Sequence, residues 1–157
     1  MRRAPLLTAA MLLALGCVRP APPPASVPEG RAALRIEVEP NPIVATHVDG
    51  STWEFPFSLA IREVGGAPIV IDRVGVDVLT VGGLRVYSTE LGAAELDERG
   101  HPRRLPALGV VRYAMSPRQH VPDERLFGSV WAELWVVGTD AEGRRTTTRT
   151  RATVERG

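Results

Sequence analysis

Cysteine is nearly missing from this chain and lysine is missing altogether. Cys17 is the single thiol in 157 residues, so no disulfide can form within one chain and the fold must hold without one. All 19 basic residues are arginine, for which coding bias in a GC-rich genome is the simplest source. No apolar run is long enough to cross a bilayer: Ala4 to Val18 is interrupted by Pro5 and Thr8 and falls short of the ~20 residues a span requires. His47, His101 and His120 stand singly, each expected in a loop, with no His-x-x-x-His pair, so no metal site is expected. Ser116 and Ser129 lie in no Gly-x-Ser-x-Gly elbow, and His120 near Asp123 and Glu124 has no marked nucleophile, so no catalytic residue is assigned. Without Arg2 and Arg3, seventeen basic side chains face eighteen acidic ones, which argues against nucleic acid as a partner.

What is present begins with Arg2-Arg3, an apolar stretch, and Leu13-Ala14-Leu15-Gly16-Cys17. A positive start, an apolar centre and small residues before a cut describe an export signal. With cysteine at the cut, the segment resembles the lipobox of bacterial lipoproteins, although Ala14 stands where that family usually has leucine. The resemblance implies a signal peptide over 1–16, cleavage before Cys17, and lipid on its sulfur. Two or three acyl chains would hold the chain at a membrane, where one would not. Val18 replaces the aspartate that marks inner-membrane retention in enterobacteria, so the implied location is the periplasmic face of an outer membrane. The alternative is an ordinary secreted, soluble domain cut near Gly16. Residues 17–32 form a Pro/Ala-rich tether whose composition cannot bury enough surface to order itself.

Residues 33–157 are the size of one domain with one core. Alternation with period two predicts strands throughout. Leu34, Ile36 and Val38 alternate with charged residues, and over Thr52 to Glu63 the set Trp53, Phe55, Phe57, Leu59 and Ile61 shares one face, with Pro56 at an edge or bulge. Beyond Ile69 and Ile71 the phase slips to Val74, Val76 and Val78, predicting a bulge near Asp72-Arg73. Gly82-Gly83 reads as a two-residue hairpin turn, Leu91 to Gly100 as a loop or short helix, and Val111 to Met115 as a strand. Ser129–Thr139 and Arg145–Glu155 form a last hairpin about a turn shaped by Asp140 and Gly143.

With almost no helix, this pattern predicts an all-β chain: an immunoglobulin-like antiparallel β-sandwich of seven or eight strands, preceded by the signal peptide and the tether. It resembles the immunoglobulin and fibronectin type III group, without inter-sheet cysteines or an identifiable tyrosine corner. In texture it is also similar to small bacterial immunoglobulin-like domains and to the bacterial proteinase-inhibitor sandwich. The resemblance implies a binding module and names no ligand.

Ser129 to Val137 is the segment of most interest. Val130, Ala132, Leu134 and Val136 are placed in the core, leaving Trp131, Glu133, Trp135 and Val137 on the other face; a reversed assignment, with the tryptophans inside, fits the periodicity as well. If the last hairpin pairs, Arg149 and Arg151 flank the tryptophans, giving an aromatic centre with a polar rim, as interfaces have, or a charged row guarding an edge. The expected function is a non-enzymatic, membrane-tethered binding or structural module of the bacterial envelope, with no cofactor and a protein partner. Alternatives are an inhibitor or chaperone-like accessory of an exported enzyme acting through Leu91–Pro106 or Ser116–Leu126, and a carbohydrate-binding module using Trp131 and Trp135.

Overall fold

A computed structural model describes residues 30–157. The signal segment, Cys17 and the tether as far as residue 29 lie outside the described residues. The chain forms β1 (Leu34–Glu39), β2 (Ile43–Asp49), β3 (Thr52–Glu54), β4 (Phe57–Glu63), β5 (Ile69–Thr80) and β6 (Arg85–Leu91). A six-residue helix α1 (Ala93–Glu98) follows, then β7 (Arg104–Leu105), β8 (Val110–Met115), β9 (Arg118–His120), a single 3₁₀ turn at Glu124–Leu126, β10 (Val130–Asp140) and β11 (Arg145–Arg156). The fold is a β-sandwich. Eight strands have six or more residues; β3, β7 and β9 are fragments of two or three.

One sheet has the order β1-β4-β8, and the other runs β6-β5-β10-β11-β2-β3-β9 with β7 added beside β5. All pairings are antiparallel except β2 with β11, which is parallel. Proline explains that exception. The chain leaves β1 in the small sheet, passes Pro40-Asn41-Pro42, and enters the large sheet as β2 without reversing. The expected continuous strand Thr52 to Glu63 is likewise two strands, β3 in the large sheet and β4 in the small one, separated at Phe55-Pro56. Beside it, β8 and β9 change sheets at Ser116-Pro117, and the Phe55 amide donates to the Pro117 carbonyl at 2.9 Å. A residue that cannot donate to a ladder is tolerated where the ladder is handed over.

The large sheet curls until its ends approach. Gln119 on β9 donates its side-chain amide to the Tyr87 hydroxyl on β6 at 2.6 Å, joining the first and last strands of the sheet path.

The core lies between the sheets, with Leu59 and Ile61 of β4 facing Ile71, Leu134 and Val136, all buried. Each such side chain contributes ~1.5–3 kcal/mol when fully buried. The phase slip in β5 is a bulge as expected: Val137 pairs Arg73 and Gly138 pairs Ile71, so Asp72 is the extra residue. Its carboxylate accepts the Thr139 hydroxyl at 2.6 Å. The β5–β6 connection is longer than the expected two residues, because Val81 to Leu84 form the turn and the Thr80 amide donates to Leu84.

Two polar devices fasten the sandwich. Glu63 continues the inward row Phe57, Leu59, Ile61 and is 1% exposed. Its carboxylate accepts backbone amides of Ala33 (3.0 Å), Gly65 (2.7 Å), Gly66 (2.9 Å) and Leu108 (2.9 Å), tying three separate segments to one point. Burial pushes this carboxyl up, but the four donated hydrogen bonds outweigh it and hold the group below its ordinary value. Tyr113 is fully buried in β8 and its hydroxyl donates to the Pro102 carbonyl at 2.9 Å. This is the service a tyrosine corner performs, at a spacing the sequence pattern did not disclose.

Candidate functional site

The outer face of the large sheet is built by β6, β5, β10 and β11, whose registers place side chains in transverse rows. Ser88, Asp77, Glu133 and Arg151 stand directly opposite one another in sequence across the four strands. On one side of this row lie Leu79, Trp131 and Thr153; on the other lie Glu90, Gly75, Trp135 and Arg149. Two carboxylates therefore face each other at the centre of the sheet, with a tryptophan one pleat away on each side.

Directly opposed like charges are destabilising unless answered. Asp77, 5% exposed, accepts the Ser88 hydroxyl at 2.6 Å and lies 3.5 Å from Arg85. Glu133 accepts Arg149 at 2.7 Å and lies 3.5 Å from Arg151. Arginine thus brackets the acidic pair from both flanks.

The two indoles are held differently. Trp135 lies over Gly75, where a Cβ would overlap Cζ2, Cε2 and Cη2 of the ring, so only glycine leaves room for it. Trp131 carries the Arg151 guanidinium over its ring, 5.2 Å from the centroid. Its Nε1 is buried and has no hydrogen-bond partner among the described residues.

Every sequence-assigned residue of this surface therefore falls on one face. Ala132, Leu134 and Val136 point into the core, and Trp131, Glu133 and Trp135 point outward, half-buried. Arg149 and Arg151 on β11 are exposed beside them. Val137 shares the outward register yet is buried, and Val130 on the core side is only half-buried. Asp77, Ser88, Gly75 and Arg85 complete the surface and were not singled out from sequence. An aspartate in mid-strand and a glycine two residues before it, opposite the tryptophan strand, were the available signal.

The remaining candidates lie away from this face. His47 lies on β2, not in a loop, with Nε2 3.0 Å from the Gly50 carbonyl and its ring edge-on to Trp53. His120 lies on β9, also against expectation. His101 stacks on Tyr113 with ring centres 4.4 Å apart; burial, aided by Arg99, holds it below the usual imidazole value. Asp140 caps its own turn, accepting the amides of Glu142 and Arg144 at 2.9 Å each and the Arg144 side chain at 2.8 Å, which lowers its carboxyl. Among the described residues no group of three or more His, Cys, Asp or Glu is placed to hold a metal ion. No described helix is long and apolar enough to cross a membrane.

No protein-family model matches the chain, and no curated protein matches it by sequence. Solved structures do share its shape. The putative ApaA protein from Bordetella pertussis superposes with a TM-score of 0.54 at 10% identity, over 81% of this chain and 98% of that one. The structural-genomics target SoR45 gives a TM-score of 0.52 at 11% identity, over 77% and 86%. At such identities the likeness extends to the β-rich fold alone.

Proposed function

We propose that this chain is a non-enzymatic binding module of the bacterial cell envelope, tethered through lipid on Cys17, that receives a protein partner on the outer face of its large sheet. One observation carries the reading. Trp131 and Trp135 flank the opposed Asp77–Glu133 pair on a sheet face that no second layer of the described chain covers, with Arg149 and Arg151 beside them. Tryptophan and arginine dominate the residues that bind most strongly at protein interfaces, and arginines paired to carboxylates give orientation. The lipobox-like sequence at Leu13 to Cys17 supports the tether. We place the module at the periplasmic face of an outer membrane on the residue after Cys17.

A photo-crosslinking amino acid at Thr147 or Thr153, outward and exposed on β11, tests the surface against the same label at Arg35, exposed on β1 of the small sheet. A discrete adduct in intact cells from the β11 positions only is expected, together with its loss in Trp131→Ala/Trp135→Ala. Equal labelling from both sheets overturns the assignment. The tether is tested separately by intact mass and membrane fractionation of the wild type beside Cys17→Ser, with lipid mass and membrane retention expected in the wild type alone.

A further inference from the structure

The sandwich is not filled at one end. Along β5 and β10 the inward side chains Ile69, Ile71, Val74, Leu134 and Val136 are at most 2% exposed, yet Val76, Val78 and Val130, on the same face further along, are half-buried. They line a cavity of about 390 Å³ at the end of the molecule where Phe57 begins β4, opposite the Glu63 end at which the described chain enters. Protein interiors are close-packed, and empty apolar space of this size loses contact energy on every wall. Its volume falls within the ~300–1,000 Å³ of small-molecule sites.

The lining is selective. In a chain that is 24% charged, no Asp, Glu or Arg among the described residues lines the cavity, whose walls are Val, Ile, Leu, Phe, Ala and Pro apart from Tyr87, Thr89, Gln119 and His120. Tyr87 and Gln119 are the pair that joins the two ends of the curled sheet. With the Gln119 amide donating to Tyr87, the phenolic hydrogen and the amide carbonyl remain to meet one polar group. Val86 of β6 lines the cavity and is 48% exposed, an apolar side chain that reaches from the wall to the surface.

We infer that this cavity is a binding site for a small neutral amphiphile, with an alkyl or aromatic body inside the sandwich and a hydroxyl or carbonyl end at Tyr87 and Gln119. The site lies between the sheets, apart from the Trp131–Trp135 face, so it stands or falls independently of the proposed partner surface. A charged head would find no counter-charge from Arg, Asp or Glu among the described residues of the lining.

The test uses the full chain carrying Cys17→Ser, purified without detergent, with the neutral fluorophore N-phenyl-1-naphthylamine as reporter. Saturable one-to-one enhancement is expected, reversed by 1-decanol and at least tenfold less readily by decanoate or decyltrimethylammonium. Ala132→Phe and Val78→Phe project bulk into the cavity and should weaken binding at least tenfold while cooperative melting persists. Should either fail to fold, Gln119→Leu, which removes the polar end but keeps the volume, should narrow the preference for decanol over decane. Absence of saturable enhancement in the folded wild type, or enhancement untouched by both filling variants in their folded state, overturns the inference.

Discussion

The indole of Trp135 lies on Gly75 of the neighbouring strand, filling the space a side chain there would take. This contact fixes one of the two tryptophans of the outer face while leaving the ring half-exposed. Gly75→Ala forces the indole to move or the strands to part, and over-packing of this kind costs ~1–3 kcal/mol. A lowered denaturation midpoint with a shifted tryptophan emission is expected. An unchanged emission spectrum would show that the ring does not rest there in solution.

Glu63 is a carboxylate spent wholly on architecture. Glu63→Gln keeps the shape but replaces one acceptor oxygen by a donor facing the amides that the acid satisfied. Hydrogen bonds to a charged group contribute ~1.5–3 kcal/mol each, and a buried unmatched donor adds its own penalty. We expect a loss of about 3 kcal/mol or more in chemical denaturation, or failure to fold. Glu63→Ala should be at least as damaging.

Acid should weaken the domain in two stages. His101 is held below its ordinary value of 6.5, by burial and then by Arg99. The unfolded chain therefore binds its proton first, and the associated stability is present above 6.5 and lost as pH falls through the lower folded value. Glu63, also lowered from 4.5, adds a second loss of the same sign at more acid pH. The melting temperature of the wild type should fall between pH 7 and 5. His101→Phe, which keeps the stack on Tyr113, should flatten that segment only.

Alkali acts through Tyr113. Burial pushes its phenol up to about 12, so the stability it confers is complete below its ordinary value of 10 and disappears as pH rises through the folded value. Tyr113→Phe leaves the Pro102 carbonyl without its donor and should cost ~1 kcal/mol at neutral pH. It should also reduce the loss of stability above pH 10; an identical alkaline profile would place the ionising group elsewhere.

Most of the sandwich was legible because alternation survives wherever one face of a strand is buried. The inward set on β10, the paired last hairpin and the bulge at Asp72 all follow from that period. It failed at the sheet changes. Pro56 and Pro117 interrupt pairing without interrupting the phase, so Trp53 and Phe57 read as one strand although they belong to different sheets. Glu63 was in view as an acid in register with Leu59 and Ile61, followed by the local donors Gly65-Gly66, yet its other two donors, Ala33 and Leu108, come from distant segments that no local pattern connects. The Tyr87–Gln119 contact depends on the curl of a whole sheet, a property of no single strand.

Trp131 separates stability from binding. Its buried Nε1 has no partner among the described residues, and an unsatisfied buried donor costs ~1–3 kcal/mol. Trp131→Phe removes that penalty together with part of the ring's apolar contact, so the two changes oppose each other and stability should stay within ~1 kcal/mol of the wild type. Trp135→Phe relieves no such penalty and should be destabilising. If the outward part of the Trp131 ring serves a partner, Trp131→Phe, which removes half of the indole, should also weaken crosslinking from Thr153 while leaving the melting curve almost unchanged. A large drop in melting temperature would instead assign Trp131 to the packing of the sheet, and its exposed edge would carry no function.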